Sequence, residues 1–207
     1  MEKDACGIGM IANLQNQKSH LIIQQAITML ENMEHRGACG CEPNTGDGSG
    51  IMIQLPHDFL KEECSKLGFE LPEFGHYGAG LVFLPQDDFL RNRCKELIEE
   101  YAVKLHLRVL GYRTLPTSNE GIGAGSLAVE PQSEHIFITS DKHSFLDLER
   151  RLFIFRNFIT REVRNTLIEA EDFYLPSLSY KTMVYKGQLT TYQLRPYFAD
   201  LMDERVV

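Results

Sequence analysis

Asp4-Ala5-Cys6-Gly7-Ile8-Gly9-Met10-Ile11-Ala12 is a short apolar run that carries a cysteine followed by glycines at alternate positions. It reads as a β-strand with Cys6 at its head. A thiol at its reference pKa of about 8.5 is only a few per cent thiolate at neutral pH, so a nucleophilic cysteine needs a base. If the peptide bond ahead of Cys6 is cut, the freed α-amino group, with a reference pKa of about 7.7–8, becomes that base. Nucleophile and base then share one residue, and residues 1–5 are a leader to be removed. No histidine close in sequence is required; the nearest is His20. Gly7 and Gly9 would let backbone or substrate approach closely. On local sequence alone the run reads more readily as a core strand with an inert cysteine, because free cysteine is among the most buried residue types. Taken alone it leaves both readings open.

The rest of the chain sets the bounds. Its 207 residues fit one large domain or two small ones, and one α+β domain is the simplest count. A hydrophobic share of 43% and a charged share of 24% are those of an ordinary soluble protein. The net charge of −8 argues against nucleic acid or an anionic membrane as the main partner. No apolar run is long enough for a transmembrane helix, and Met1-Glu2-Lys3-Asp4 has no signal-peptide pattern. The five cysteines form no disulfide-like framework, so the expected setting is a reducing cytoplasm.

Downstream, Ser19 is an N-cap for a helix running to about Glu34, with Ile22, Ile23, Ala26, Ile27, Leu30 and Met33 on one face and Gly37 as its end signal. Residues 34–50 form a glycine-dense polar loop that feeds a strand at 51–55, and its tight anchoring points to function. The pattern then predicts a helix over 59–67, a strand over 77–84, a helix from 85–88 to about 104, and a strand over 105–113. A loop over 116–125 leads to strands at 126–130 and 135–140. Leu152-Phe153-Ile154-Phe155 suggests a strand before a helix to Ile168; residues 173–179 and 182–185 resemble a hairpin; Thr190 begins a last helix through Phe198.

Several constellations compete for attention. Cys39-Gly40-Cys41 beside His35 is a single ligand pair, where structural zinc takes two, so no metal is expected. The loop 44–50 lacks the alternating aspartates and closing glutamate of a calcium loop. Gly121-Ile122-Gly123-Ala124-Gly125 follows a polar loop and leads into a strand-like segment, against a dinucleotide site. Arg36 is either a solvated or carboxylate-paired arginine or a fixed cation near the nucleophile. The basic residues of 149–151 and 156–164 are interleaved with Glu149, Glu162 and aliphatics, the pattern of a solvated face.

Together, Asp4-Ala5-Cys6-Gly7-Ile8-Gly9, Glu34-His35-Arg36-Gly37-Ala38 and Pro43-Asn44-Thr45-Gly46-Asp47-Gly48-Ser49-Gly50-Ile51 resemble the start of the glutamate synthase large-subunit family. Phe173-Tyr174-Leu175-Pro176-Ser177-Leu178-Ser179 and Thr182-Met183-Val184-Tyr185-Lys186-Gly187-Gln188-Leu189 resemble it too, so the likeness spans nearly the whole chain. That family opens with a class II glutamine amidotransferase domain of the N-terminal-nucleophile hydrolase type. The resemblance implies an α+β fold, an αββα sandwich of antiparallel sheets flanked by helices. It implies that Cys6 is the nucleophile exposed when residues 1–5 leave, that Gly7, Arg36 and Gly37 line the site, and that Asp47 stands in a loop behind it. The substrate implied is glutamine, hydrolysed through a γ-glutamyl thioester, with the ammonia serving glutamate formation from 2-oxoglutarate. FMN and an iron–sulfur cluster would belong to other domains, with the remaining glutamate synthase polypeptide as partner.

One departure stands out. The family's Arg-Phe-Ser-Thr-type carboxylate clamp, its Asn-Gly oxyanion pair and a later substrate-binding aspartate are not found in this sequence, which ends at Arg205-Val206-Val207. Residues 6–207 therefore read as a partial amidotransferase domain, weakly active or inactive alone, since one oxyanion-hole donor is typically worth roughly 10²–10³ in rate. Two alternatives remain: a regulatory or binding module that keeps the scaffold, and an amidohydrolase of the same type acting on another amide.

Overall fold

A computed structural model describes residues 6–37, 44–140 and 145–207. Two compact units emerge, and each is interleaved along the chain.

The larger unit comprises Gln54–Leu115 and Pro131–Val184. Its centre is an antiparallel sheet of β2 (Tyr77–Leu84), β4 (Gln132–Thr139) and β3 (Arg108–Thr114), in the order β2-β4-β3. Tyr77 faces Thr139 across the β2–β4 ladder, and a register shift between Val109 and Gly111 marks a bulge in β3. β2 is buried along almost its whole length, which explains why Tyr-Gly-Ala-Gly-Leu-Val-Phe-Leu does not alternate: both faces are covered. Val82, Leu84, Ile136 and Ile138 meet α3 (Asp88–Lys104) and α5 (Phe145–Thr166) on one side. On the other, α2 (His57–Lys66) reaches the sheet through His57, whose Nδ1 lies 3.0 Å from the Tyr77 hydroxyl, and through Phe59, over which the Arg113 guanidinium lies at 5.4 Å. A side chain at Gly78 would overlap Leu152 of α5, so glycine sets how closely that helix approaches.

The smaller unit takes the described residues up to Ile53 together with Pro116–Glu130 and Tyr185–Val207. α1 (His20–Asn32) starts where expected: the Ser19 side chain accepts from the Leu21 amide. It buries His20, Ile23 and Ile27, the first held by a 2.9 Å contact between its Nδ1 and the Val206 carbonyl. β1 (Ser49–Gln54) pairs with β5 (Thr182–Gly187) in a two-stranded sheet. The buried Tyr185 hydroxyl donates to Asp200 at 3.1 Å, and its ring meets Phe198 edge-on at 5.3 Å. Among the described residues no helix is long and apolar enough to cross a membrane.

Mixed helix and antiparallel sheet match the α+β expectation, but several elements differ from it. Residues 6–12 form no strand: Ile8 is 98% and Met10 88% exposed, and no described segment supplies the ladder hydrogen bonds a strand requires. The strand expected at 126–130 is replaced by a short helix, α4 (Ala124–Ala128), where nothing is buried and no partner strand adjoins. One ground for setting aside a nucleotide at Gly121–Gly125 thus falls, while the other, the missing strand before it, stands. Leu152-Phe153-Ile154-Phe155 lies inside continuous α5, because Leu148, Leu152, Phe155, Ile159 and Val163 form one buried stripe at helical spacing while Phe153 and Ile154 face outward. The expected hairpin is absent. Tyr174 and Ser179 instead make isolated bridges to Phe83 and Ala79 of β2, and β5 takes β1 as its partner. The last helix shrinks to α6 (Leu194–Tyr197), followed by a 3-10 turn at Ala199–Met202, with Thr190 in the turn before it.

Candidate functional site

Cys6 is exposed, at the start of an extended segment laid along α1. The two glycines make that course possible. A Cβ on Gly9 would stand 2.5 Å from the Met29 thioether sulfur, and one on Gly7 would stand 3.1 Å from the Met33 sulfur and 3.4 Å from Arg36 Cβ. A larger residue at position 9 would require the flexible Met29 side chain to move aside, and one at position 7 would require a smaller adjustment of Met33.

Arg36 reaches this place by a change of helix type. α1 ends at Asn32, and a 3-10 turn over Glu34–Arg36 follows, closed by the Gly37 amide donating to the Glu34 carbonyl at 2.8 Å. Gly37 is extended, with φ −89°, so it is not acting as a left-handed helix stop. Its role is proximity: a Cβ there would stand 3.3 Å from the Glu34 carbonyl oxygen. The structure therefore sets Gly7, the residue after Cys6, against Arg36, with Gly37 next in line.

Asp47 is exposed on a separate loop. Among the described residues it makes no hydrogen bond or ion pair to Cys6, Gly7 or Arg36. What the structure shows is how its loop is gripped. Gly46 is buried, and a side chain there would overlap the Leu189 carbonyl; Gly48 has φ +139°, a conformation that favours glycine; a Cβ on Gly50 would crowd Lys186 Cβ at 2.8 Å. The Ser49 hydroxyl donates to the Thr190 carbonyl at 3.0 Å. The dense glycines of this loop thus reflect close backbone contact with residues 185–190.

Four contributing residues were not legible as such in the sequence. Met29 and Met33 form the platform beneath the glycines. Tyr192 donates to Glu34, whose negative charge holds the phenol above its usual range. Gln193 bonds two distant segments at once, at the Asn44 and Gly121 carbonyls, as well as the Thr190 amide of its own turn. Nothing in local periodicity distinguishes these residues, because their partners are distant in the chain. The leader at residues 1–5 and the Cys39–Cys41 pair lie outside the described residues. The basic cluster behaves as a surface: Arg151 donates to the Leu105 carbonyl at 3.1 Å, Arg156 to the Pro176 carbonyl at 2.6 Å, and Arg150 and Arg161 lie near Asp147 and Glu162.

A family model described as class II glutamine amidotransferases matches residues 6–207, beginning at the cysteine on which this geometry is built. The chain belongs to that family. Its relatives include the ferredoxin-dependent glutamate synthase 2, chloroplastic, of Arabidopsis thaliana, 38% identical over 204 residues. That alignment covers 98% of this chain and 12% of the relative. The glutamate synthase [NADPH] large chain of Bacillus subtilis is 38% identical over 209 residues, covering 100% and 13%. The glutamate synthase [NADH] of Schizosaccharomyces pombe is 34% identical over 209 residues, covering 100% and 10%. This class II amidotransferase chain spans between 10% and 13% of the length of these relatives.

Proposed function

We propose that this chain performs the glutaminase half-reaction of a glutamate synthase, with Cys6 as nucleophile. The observation that carries the reading is the exposed Cys6 at the first position of the family match, followed by Gly7, which packs against Arg36. In this reading the bond before Cys6 is cleaved and the freed amine takes the thiol proton. The thiolate sulfur attacks the side-chain carbonyl carbon of glutamine, and a tetrahedral oxyanion forms. Its collapse breaks the carbon–nitrogen bond as the α-ammonium returns the proton to nitrogen, and ammonia leaves. Water, deprotonated by the same amine, then cleaves the γ-glutamyl thioester and frees glutamate and the thiol. Arg36 supplies a fixed positive charge beside the nucleophile, Gly7 and Gly37 keep the approach open, and Asp47 belongs to the loop that supports the site.

The αββα sandwich, the cytoplasmic setting, the use of ammonia to make glutamate from 2-oxoglutarate, and partnership with further glutamate synthase polypeptide belong to the same proposal. FMN and an iron–sulfur cluster are assigned to other domains, and no step here runs through them. Among the described residues no three His, Cys, Asp or Glu side chains gather as metal ligands.

The test joins intact mass with a glutaminase assay. The expected terminus is Cys6, and Cys6→Ala is expected to remove glutamate release, a loss on the order of 10³-fold or more. The rate of the chain alone is expected to be low and to rise when a polypeptide bearing an Asn-Gly oxyanion pair and a carboxylate clamp is added. Unchanged turnover by Cys6→Ala would overturn the assignment. A terminus at Met1 or Glu2 would favour the binding-module reading.

A further inference from the structure

We infer that Gln193 braces the loop that carries Asp47 and is thereby a positioning residue for the glutaminase site; the inference rests on the glutaminase reading above, which is what assigns that loop to the Cys6 site. The side-chain amide of Gln193 spends both of its donor hydrogens on two distant chain segments and accepts one hydrogen bond within its own turn. Its Oε1 accepts from the Thr190 amide at 2.8 Å. Its Nε2 donates one hydrogen to the Asn44 carbonyl at 2.8 Å and the other to the Gly121 carbonyl at 2.8 Å. The Asn44 carbonyl also accepts from the Gly123 amide at 3.0 Å, so both of its lone pairs are engaged. The Ser126 hydroxyl lies 3.4 Å from Thr45 Oγ1, and Ser49 closes the far end of the loop on the Thr190 carbonyl at 3.0 Å. Residues 44–49 are thus held at both ends, and one glutamine links the near end to residues 121 and 190.

The need for a brace follows from the loop itself. Its glycines cost conformational entropy when fixed, and Gly48 is at positive φ, +139°, as is Gly121, +77°, on the segment to which Gln193 ties the loop. A loop of this composition holds Asp47 in one place only if its carbonyls are tied down. A simpler role for Gln193 is local, since it is the residue that precedes the four-residue α6. The two roles predict different patterns. Gln193→Glu is isosteric and keeps the acceptor for the Thr190 amide, but it removes both donors and sets a negative charge against two carbonyl oxygens. Gln193→Ala removes all three bonds.

The experiment follows amide hydrogen exchange in the folded chain, together with alkylation of Cys6 by 6-diazo-5-oxo-L-norleucine, a glutamine-shaped diazoketone. Iodoacetamide serves as the control for bare thiol exposure. In Gln193→Glu, exchange at residues 45–49 and 121–123 is expected to accelerate on the order of 5- to 10-fold, with Thr190 still protected. In Gln193→Ala, Thr190 loses protection too. The maximal rate of diazoketone labelling is expected to fall about 5-fold or more in both variants while iodoacetamide labelling is unchanged. Exchange at residues 45–49 that matches the wild type in Gln193→Glu would overturn the brace. Faster exchange with wild-type diazoketone labelling would overturn the positioning role. All labelling is run with the polypeptide bearing the Asn-Gly oxyanion pair and the carboxylate clamp added. A wild-type chain that is then alkylated by iodoacetamide but not by the diazoketone would overturn the glutaminase reading instead, a result seen before any variant is made.

Discussion

Cys6 is exposed, whereas Cys64 and Cys94 have no exposed surface. Burial pushes the Cys64 thiol up to about 12, against the lowering influence of Arg113, and pushes Cys94 up to about 11. Thiolate is the reactive form, so these two are inert in the folded protein. Iodoacetamide at pH 8 is expected to alkylate Cys6 in the native state and to reach Cys64 and Cys94 only after denaturation, as read by peptide mass. Native labelling of Cys64 at the rate of Cys6 would contradict the packing described around α2. The same contrast answers the question left open by the first stretch of sequence. Cys6 is not a buried core cysteine, and the apolar residues beside it are exposed with it.

Among the elements, α5 shows how a short apolar word misleads. Leu152-Phe153-Ile154-Phe155 has strand-like composition, yet only Leu152 and Phe155 are buried. They belong to a stripe repeating every three or four residues over the helix. Leu152→Ala is expected to cost about 2–5 kcal/mol, because it opens a cavity against Gly78 of β2. Phe153→Ala, 61% exposed, is expected to cost under about 1 kcal/mol. Chemical denaturation of the two variants checks this, and equal costs would restore the strand reading. α1 is the opposite case. Its cap, its stripe and its length agree with one another, so local sequence sufficed.

Across the larger unit, buried thiols and phenols give stability a particular pH dependence. Cys64, Cys94, Tyr77 and Tyr112 are all raised in the folded state, chiefly by burial. Each holds its proton to higher pH when folded than when unfolded. The stabilising contribution is therefore whole below the ordinary values, 9.0 for the thiols and 10.0 for the phenols, and is lost as pH rises through the folded values. Denaturant midpoints are expected to fall above pH 9, with the Cys64 share spread up to about pH 12. Cys64→Ala is expected to lower the midpoint at pH 7 yet flatten the alkaline fall; a fall as steep as the wild type's would show that Cys64 does not contribute. The sequence by itself determined the α+β class and the family, because these rest on periodicity within single elements and on residue identity, while Cys6 as nucleophile with Arg36, Gly37 and Asp47 as its company is what the family resemblance implies. Only the tertiary structure decided that residues 6–12 lie extended without a strand partner, that β5 pairs with β1, that 173–179 joins β2 at two points, and that Gln193 ties residues 44 and 121 together. Each of those is a choice of partner between distant stretches of chain, fixed by which hydrogen bonds and buried surfaces remain available once the nearer elements have formed.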